Sequence, residues 1–132
     1  MYNVNSTVNF YLTYDLEKTT HFYTELLGLK QVFEVGRYRI FGDPEKKYFI
    51  GFGQKLEEHT INPQGICISF NCPDEETVRK NFELVREHAP VVYEPNELGM
   101  LADYNHCYAA SVKDPSGYKV EFQYIYNTPC FY

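Results

Sequence analysis

The 132-residue sequence predicts an α+β fold made from one unit used twice, and three observations predict it. An alternating run, Val8-Asn9-Phe10-Tyr11-Leu12-Thr13, meets Asp15 and then a helical pattern that stops at Gly28. A second alternating run, Ile66-Cys67-Ile68-Ser69-Phe70-Asn71, meets Pro73-Asp74 and another helical pattern ending near Ala89-Pro90. Each helical pattern is followed by further strand-like runs. Strand, helix and several strands, repeated once, is the pattern of two copies of one unit packed as one domain. Such sheets fold around a groove, and the residues facing it decide the function.

In the first unit Asp15 is the expected N-cap, a simple one because Lys18 stands where a capping box needs Glu or Gln. Leu16, Thr19, Tyr23, Leu26 and Leu27 fall on one side at helical spacing, with Phe22 beside them, and Gly28 supplies a left-handed stop. Lys30–Val35, Tyr38–Phe41 and Tyr48–Phe52 read as strands, separated by turns at Gly36 and at Gly42-Asp43-Pro44. The polar stretch from Gln54 to Gln64 reads as a linker.

In the second unit Pro73-Asp74-Glu75-Glu76 opens a helix with acids at its positive dipole end. Val78, Phe82 and Val85 form its buried stripe. Val91–Glu94, Tyr104–Val112 and Tyr118–Tyr126 read as strands, and Asp114-Pro115-Ser116-Gly117 is a strong turn between the last two. Pro95–Asp103 is expected to be irregular, a lid over a pocket.

Composition narrows the partners. A chain of this size is one domain with a real core. Net charge is -6 with no cluster of Lys or Arg, which argues against nucleic acid and acidic membranes as partners. No apolar run nears the roughly 20 residues of a membrane span, and the first residues lack signal-peptide features, so a cytoplasmic setting is expected. Cys67, Cys72, Cys107 and Cys130 are scattered without a CxxC pair and are expected to be free thiols. Thirteen Tyr and ten Phe without a Trp suit pocket walls and interfaces, although core strands use aromatics too.

Two motifs carry a family resemblance. Asp15-Leu16-Glu17 through His21-Phe22-Tyr23 and Leu27-Gly28-Leu29 resembles the first helix of the vicinal oxygen chelate superfamily, which includes glyoxalase I, bleomycin-resistance proteins and extradiol dioxygenases. Asp114-Pro115-Ser116-Gly117-Tyr118 with Val120-Glu121-Phe122 is similar to its terminal hairpin. The resemblance spans nearly the whole chain. It implies a single glyoxalase-like domain over 1–132, with βαβββ modules over 4–55 and 65–127. Their strands would form a partly closed, cup-shaped mixed sheet, often completed by a homodimer. It does not fix the activity, because this fold hosts many.

In metal-dependent members the cation is held by His, Gln or Glu from the first and last strands of each module. Those positions map onto Thr7, Gly51, Cys67 and Glu121, of which Glu121 alone is a usual ligand. A one-residue slip would substitute Val8 and Ile66. One carboxylate and one thiolate are too few for a stable site, so no metal and no cofactor are expected. The histidines offer little: His21 is expected to be a partly buried helix residue, His59 lies in the linker, and His88 sits at a helix end. His106, beside Cys107, is the one that could reach the cup mouth and form a site with Glu121.

Alternation then assigns the inward positions. Val8, Phe10 and Leu12 are expected to face the first helix, which leaves Thr7, Asn9, Tyr11 and Thr13 facing the cup. Phe49 and Gly51 face it from the fourth strand, Cys67, Ser69 and Asn71 from the fifth, and Glu121, Gln123 and Ile125 from the last. Hydroxyls, amides and rings around one carboxylate suit a small polar, aromatic or cationic ligand. The expected function is therefore metal-independent small-molecule binding of the bleomycin-resistance kind, by sequestration or sensing. The ligand-binding set is Thr7, Asn9, Tyr11, Phe49, Cys67, Ser69, Asn71, Glu121 and Gln123. Two other readings stay open. One is a lyase, isomerase or dioxygenase with Glu121 as base or as one ligand of a non-standard metal site. The other is an interaction module whose aromatic surface, including Tyr124, Tyr126, Phe131 and Tyr132, serves dimerisation.

Overall fold

The computed structural model of the chain describes residues 1–102 and 105–128. The chain divides into two compact units, Met1–Asn62 and Pro63–Tyr132. Each holds a four-stranded mixed sheet with helix on one face, so the α+β class and the doubled strand–helix–three-strand order are as the sequence predicts.

The first unit contains β1 (Asn9–Thr13), α1 (Leu16–His21), β2 (Lys30–Val35), β3 (Tyr38–Asp43) and β4 (Tyr48–Gln54). The strands lie in the order β1-β4-β3-β2, with β1 parallel to β4 and the other pairs antiparallel. Asp15 caps α1 by accepting a hydrogen bond from the Lys18 amide at 3.1 Å. Gln54 fastens the β1–α1 corner, accepting from the Leu16 amide at 2.9 Å and donating to the Tyr14 carbonyl at 2.7 Å.

The helix does not run regularly to Gly28. After His21 it widens into a π-helical turn over Phe22–Leu26, closed by Gly28 at φ +77°. The extra residue per turn lets the adjacent Phe22 and Tyr23 both enter the core. Tyr23 stacks on Phe41 with centroids 6.1 Å apart and meets Phe52 at 4.8 Å. His21, by contrast, is exposed rather than partly buried.

The second unit contains β5 (Cys67–Asn71), α2 (Glu75–Val85), β6 (Val91–Ala102), β7 (Asn105–Lys113) and β8 (Lys119–Ile125). The strand order is β5-β8-β7-β6, with β5 parallel to β8. Asp74 caps α2, accepting from both the amide and the hydroxyl of Thr77 at 2.7 Å. Val78, Phe82 and Val85 are fully buried, the stripe their spacing predicts. The predicted turn forms with the Asp114 carboxylate accepting from the amides of Ser116 and Tyr118, and Gly117 at φ +88°.

The expected lid is a strand. Residues from Pro95 to Ala102 continue β6, which pairs antiparallel with β7 through three register shifts. Bulges of this kind let Pro95 sit in a strand, since a residue at a shift need not donate to the ladder. Asp103, Tyr104, Cys130, Phe131 and Tyr132 lie outside the described residues. Among those described, no helix is long and apolar enough to cross a membrane.

Candidate functional site

The first sheet reverses one expectation. Thr13 is fully buried and its hydroxyl lies 2.6 Å from that of Thr19 on α1, while the Tyr11 ring packs 6.1 Å from Phe52, itself against Tyr23. Tyr11 and Thr13 therefore face the helix, and Phe10 and Leu12 face away from it. Apolarity alone misassigns the strand because Thr13 has its partner in the core and Phe10 has a seat outside it. Phe10 lies opposite Gly51 in register, and a Cβ there would strike its ring. Tyr38 lies likewise over Gly53, its ring edge-on to Phe10 at 5.8 Å. Phe49 is opposite Gly42 on the same face. Thr7 precedes β1 and is exposed, and Asn9 opens β1, also exposed.

The second sheet gathers the polar residues. Four strands contribute one residue each to a single row: Ser69 on β5 pairs with Glu121 on β8, Glu121 with Ser111 on β7, and Ser111 with Tyr93 on β6. This row lies on the face away from α2, because Val120 and Phe122 on either side of Glu121 are buried toward the helix. Glu121 is only 8% exposed. Its Oε1 accepts from the Ser69 hydroxyl at 2.8 Å, and its Oε2 accepts from the Tyr93 hydroxyl. The next row carries Asn71 and Gln123, joined at 2.9 Å by a hydrogen bond from Gln123 Nε2. Cys107 donates to Gln123 Oε1 at 3.6 Å. Lys119 places its ammonium 5.5 Å from the centroid of the Tyr93 ring.

This environment disfavours further negative charge. Burial, followed by the hydrogen bond to Glu121 and its charge, holds the Tyr93 phenol well above its ordinary range. Burial and then the Glu121 charge push the Cys107 thiol up to about 11. Cys67 is raised for the same two reasons, with Lys119 opposing, although the residue as a whole is exposed. Both thiols are therefore protonated and weakly nucleophilic at neutral pH.

The donor set at the family's ligand positions does not fit a divalent ion. Gly51 has no side chain and the Phe10 ring lies over it. Glu121 is the one carboxylate at these positions, Cys67 adds a single thiol, and Thr7 stands outside β1. The imagined site of His106, Cys107 and Glu121 does not assemble. His106 turns to the opposite face from its neighbour Cys107, stacking on Tyr126 at 4.4 Å with Nδ1 3.6 Å from Glu97. His59 accepts from the Leu56 amide, and His88 lies exposed beyond α2. Among the described residues, no three His, Cys, Asp or Glu come together as a metal-binding group.

Sequence reasoning places Ser69, Asn71, Glu121 and Gln123 on this face and passes over Tyr93, Ser111 and Lys119. Tyr93 is readable as a strand residue, but nothing local shows that it reaches a carboxylate 28 residues away.

Known proteins share this architecture. A protein from Nocardioides described as a glyoxalase/bleomycin resistance protein/dioxygenase superposes with TM-score 0.70 at 15% identity, covering 94% of this chain and 85% of its own. A like-named protein from Alicyclobacillus acidocaldarius gives TM-score 0.68 at 18% identity, with 100% of both chains covered. The lactoylglutathione lyase of Agrobacterium tumefaciens gives 0.68 at 15% identity, covering 92% and 93%. Identities this low establish the fold and no activity. A comparison with curated proteins finds no match. The model of the glyoxalase/bleomycin resistance protein/dioxygenase superfamily matches residues 5–122, and this chain belongs to that superfamily.

Proposed function

We propose that this superfamily member binds a small molecule on the α2-distal face of its second sheet, without a metal ion, and acts by sequestering or sensing it. The observation that carries the reading is the row Ser69–Glu121–Ser111–Tyr93. A buried carboxylate is costly unless hydrogen-bonded, and here two hydroxyls hold it in one orientation. Each of its oxygens can accept a second hydrogen bond, so a ligand donor has a defined place to land. Asn71 and Gln123 in the adjoining row supply amide donors and acceptors. Cys67 lies at the edge of this face as an inert thiol. The proposed ligand set leaves out Asn9 and Tyr11, because both alternate with Thr13 on the helix face of the first sheet.

Metal independence is supported by the poverty of the donor set: one carboxylate, one thiol and a glycine under an aromatic ring. Free thiols at Cys67, Cys72 and Cys107 suit a reducing, cytoplasmic setting. A homodimer is the assembly that the family resemblance implies.

Calorimetric titration with a library of small polar and aromatic molecules tests the reading, run on protein purified without chelator and assayed for metals. Binding that Glu121→Gln weakens at least tenfold, in metal-free protein, supports it. Stoichiometric bound metal, or metal-dependent turnover of a bound molecule, overturns it in favour of a lyase or isomerase.

A further inference from the structure

The Tyr93 hydroxyl donates to Glu121, which tethers the hydroxyl end of the ring at a carboxylate, while one ring face is turned to Lys119. Tyr93 stands between two register shifts of β6, one after Val91 and one before Asn96. Bulges re-aim side chains, and here they direct Tyr93 across β7 rather than along its own strand. That ring face already carries a cation, the Lys119 ammonium at 5.5 Å from the centroid. A ring quadrupole attracts an ammonium, and a neighbouring carboxylate adds charge in a partly desolvated setting. The lysine stem is flexible, so this occupant can leave.

We propose that this face selects ligands carrying an alkylammonium group, that Tyr93 and Glu121 form its seat, and that Lys119 is a tethered competitor for it. The inference rests on the binding role assigned above to the same face and narrows its ligand class. Tyr93 is the specificity-determining residue: its hydroxyl anchors the carboxylate and its ring receives the cation. The groups that face Glu121 are Cys67 and Ser69 from β5, Cys107 and Ser111 from β7, Tyr93 from β6, and Lys119 from its own strand. Lys119 is the cation among them. With it displaced, the seat carries one net negative charge.

The test is titration of the full chain with benzylammonium, with benzyl alcohol as neutral isostere and benzoate as anion. Shifts of the Tyr93 and Glu121 side-chain resonances report occupancy. Benzylammonium is expected to bind with an affinity that falls as salt rises, and benzoate is expected not to bind. Lys119→Met is expected to tighten benzylammonium about threefold or more, the size of one cation–π contact, whereas Lys119→Arg is not. Tyr93→Leu is expected to abolish the preference for the cation over benzyl alcohol. Equal binding of benzyl alcohol, or no gain from Lys119→Met in protein with an unchanged melting temperature, overturns the cation seat and leaves the ligand face standing. Failure of all three probes to perturb either residue removes both.

Discussion

Tyr93 and Glu121 lie on strands that do not touch: β7 runs between them, and the phenol crosses above Ser111 to donate to the carboxylate. Neighbouring strands are about 4.8 Å apart, so the span is about 10 Å. Tyrosine and glutamate reaching toward each other cover it together, and serine at position 111 is small enough to be crossed. The Ser111 hydroxyl is itself turned down to the Val120 carbonyl at 2.9 Å, which keeps the path clear.

Tyr93→Phe keeps the ring and removes the donor. It is expected to cost about 1–2 kcal/mol, the usual range for a hydrogen bond to a charged group allowing for partial exposure. Ser111→Leu blocks the crossing and is expected to cost about 1–3 kcal/mol by overpacking. Because both remove one contact, the double variant should lose less than the sum in urea unfolding. Strict additivity would show that the contact does not hold the sheet.

Two glycines of the first sheet should respond differently to alanine. At Gly51 the new methyl meets the half-exposed Phe10 ring, which can swing into solvent. At Gly42 it meets the backbone carbonyl of Tyr48, which cannot move without parting β3 from β4. Gly42→Ala is expected to cost several kcal/mol or prevent folding, and Gly51→Ala about 1 kcal/mol. Adding Phe10→Ala should rescue Gly51→Ala only. Equal melting temperatures for the two single variants would contradict the packing.

Thr13→Val retains shape and deletes a hydroxyl that meets Thr19 inside the core at 2.6 Å. The expected loss is about 1–3 kcal/mol, because a buried polar group loses a partner. If Thr13 faced away from α1, the change would be close to neutral in the same unfolding assay.

The Cys107 thiol sets a pH dependence whose sign follows from its raised pKa. An unfolded chain releases this proton near the ordinary 9.0, and the folded one near 11. Between those values the unfolded state binds fewer protons, so stability falls as pH rises from about 9 to about 11 and is unaffected below. Tyr93 acts in the same direction. Cys107→Ala should therefore flatten the alkaline limb of the stability curve without abolishing it. At pH 8, Cys107 should resist alkylation in native protein, and Glu121→Gln should speed it by removing the charge that opposes the thiolate.

The periodic elements were legible because their causes are local. Asp15 and Asp74 cap helices through amides three residues on, and Val78, Phe82 and Val85 bury one stripe through spacing alone. Glu121, Ser69 and Asn71 were placed on one face by alternation along single strands, which the structure retains. Where apolarity and packing parted, the reading failed. Phe10 looked like core and lies on Gly51, while Tyr11 and Thr13 looked polar and lie against α1. The stretch after Pro95 looked like a loop because proline weakens a strand, and bulges pairing it with β7 made it one.

By itself the sequence determined the doubled unit, its caps and turns, and the membership that residues 5–122 carry. Tertiary structure decided which face each β1 residue takes and that Tyr93, two strands away, completes the surroundings of Glu121. The division has a physical reason. Caps and periodicity act over three or four residues of one chain segment, whereas a side chain that spans a neighbouring strand depends on register, bulges and the size of the residue beneath it.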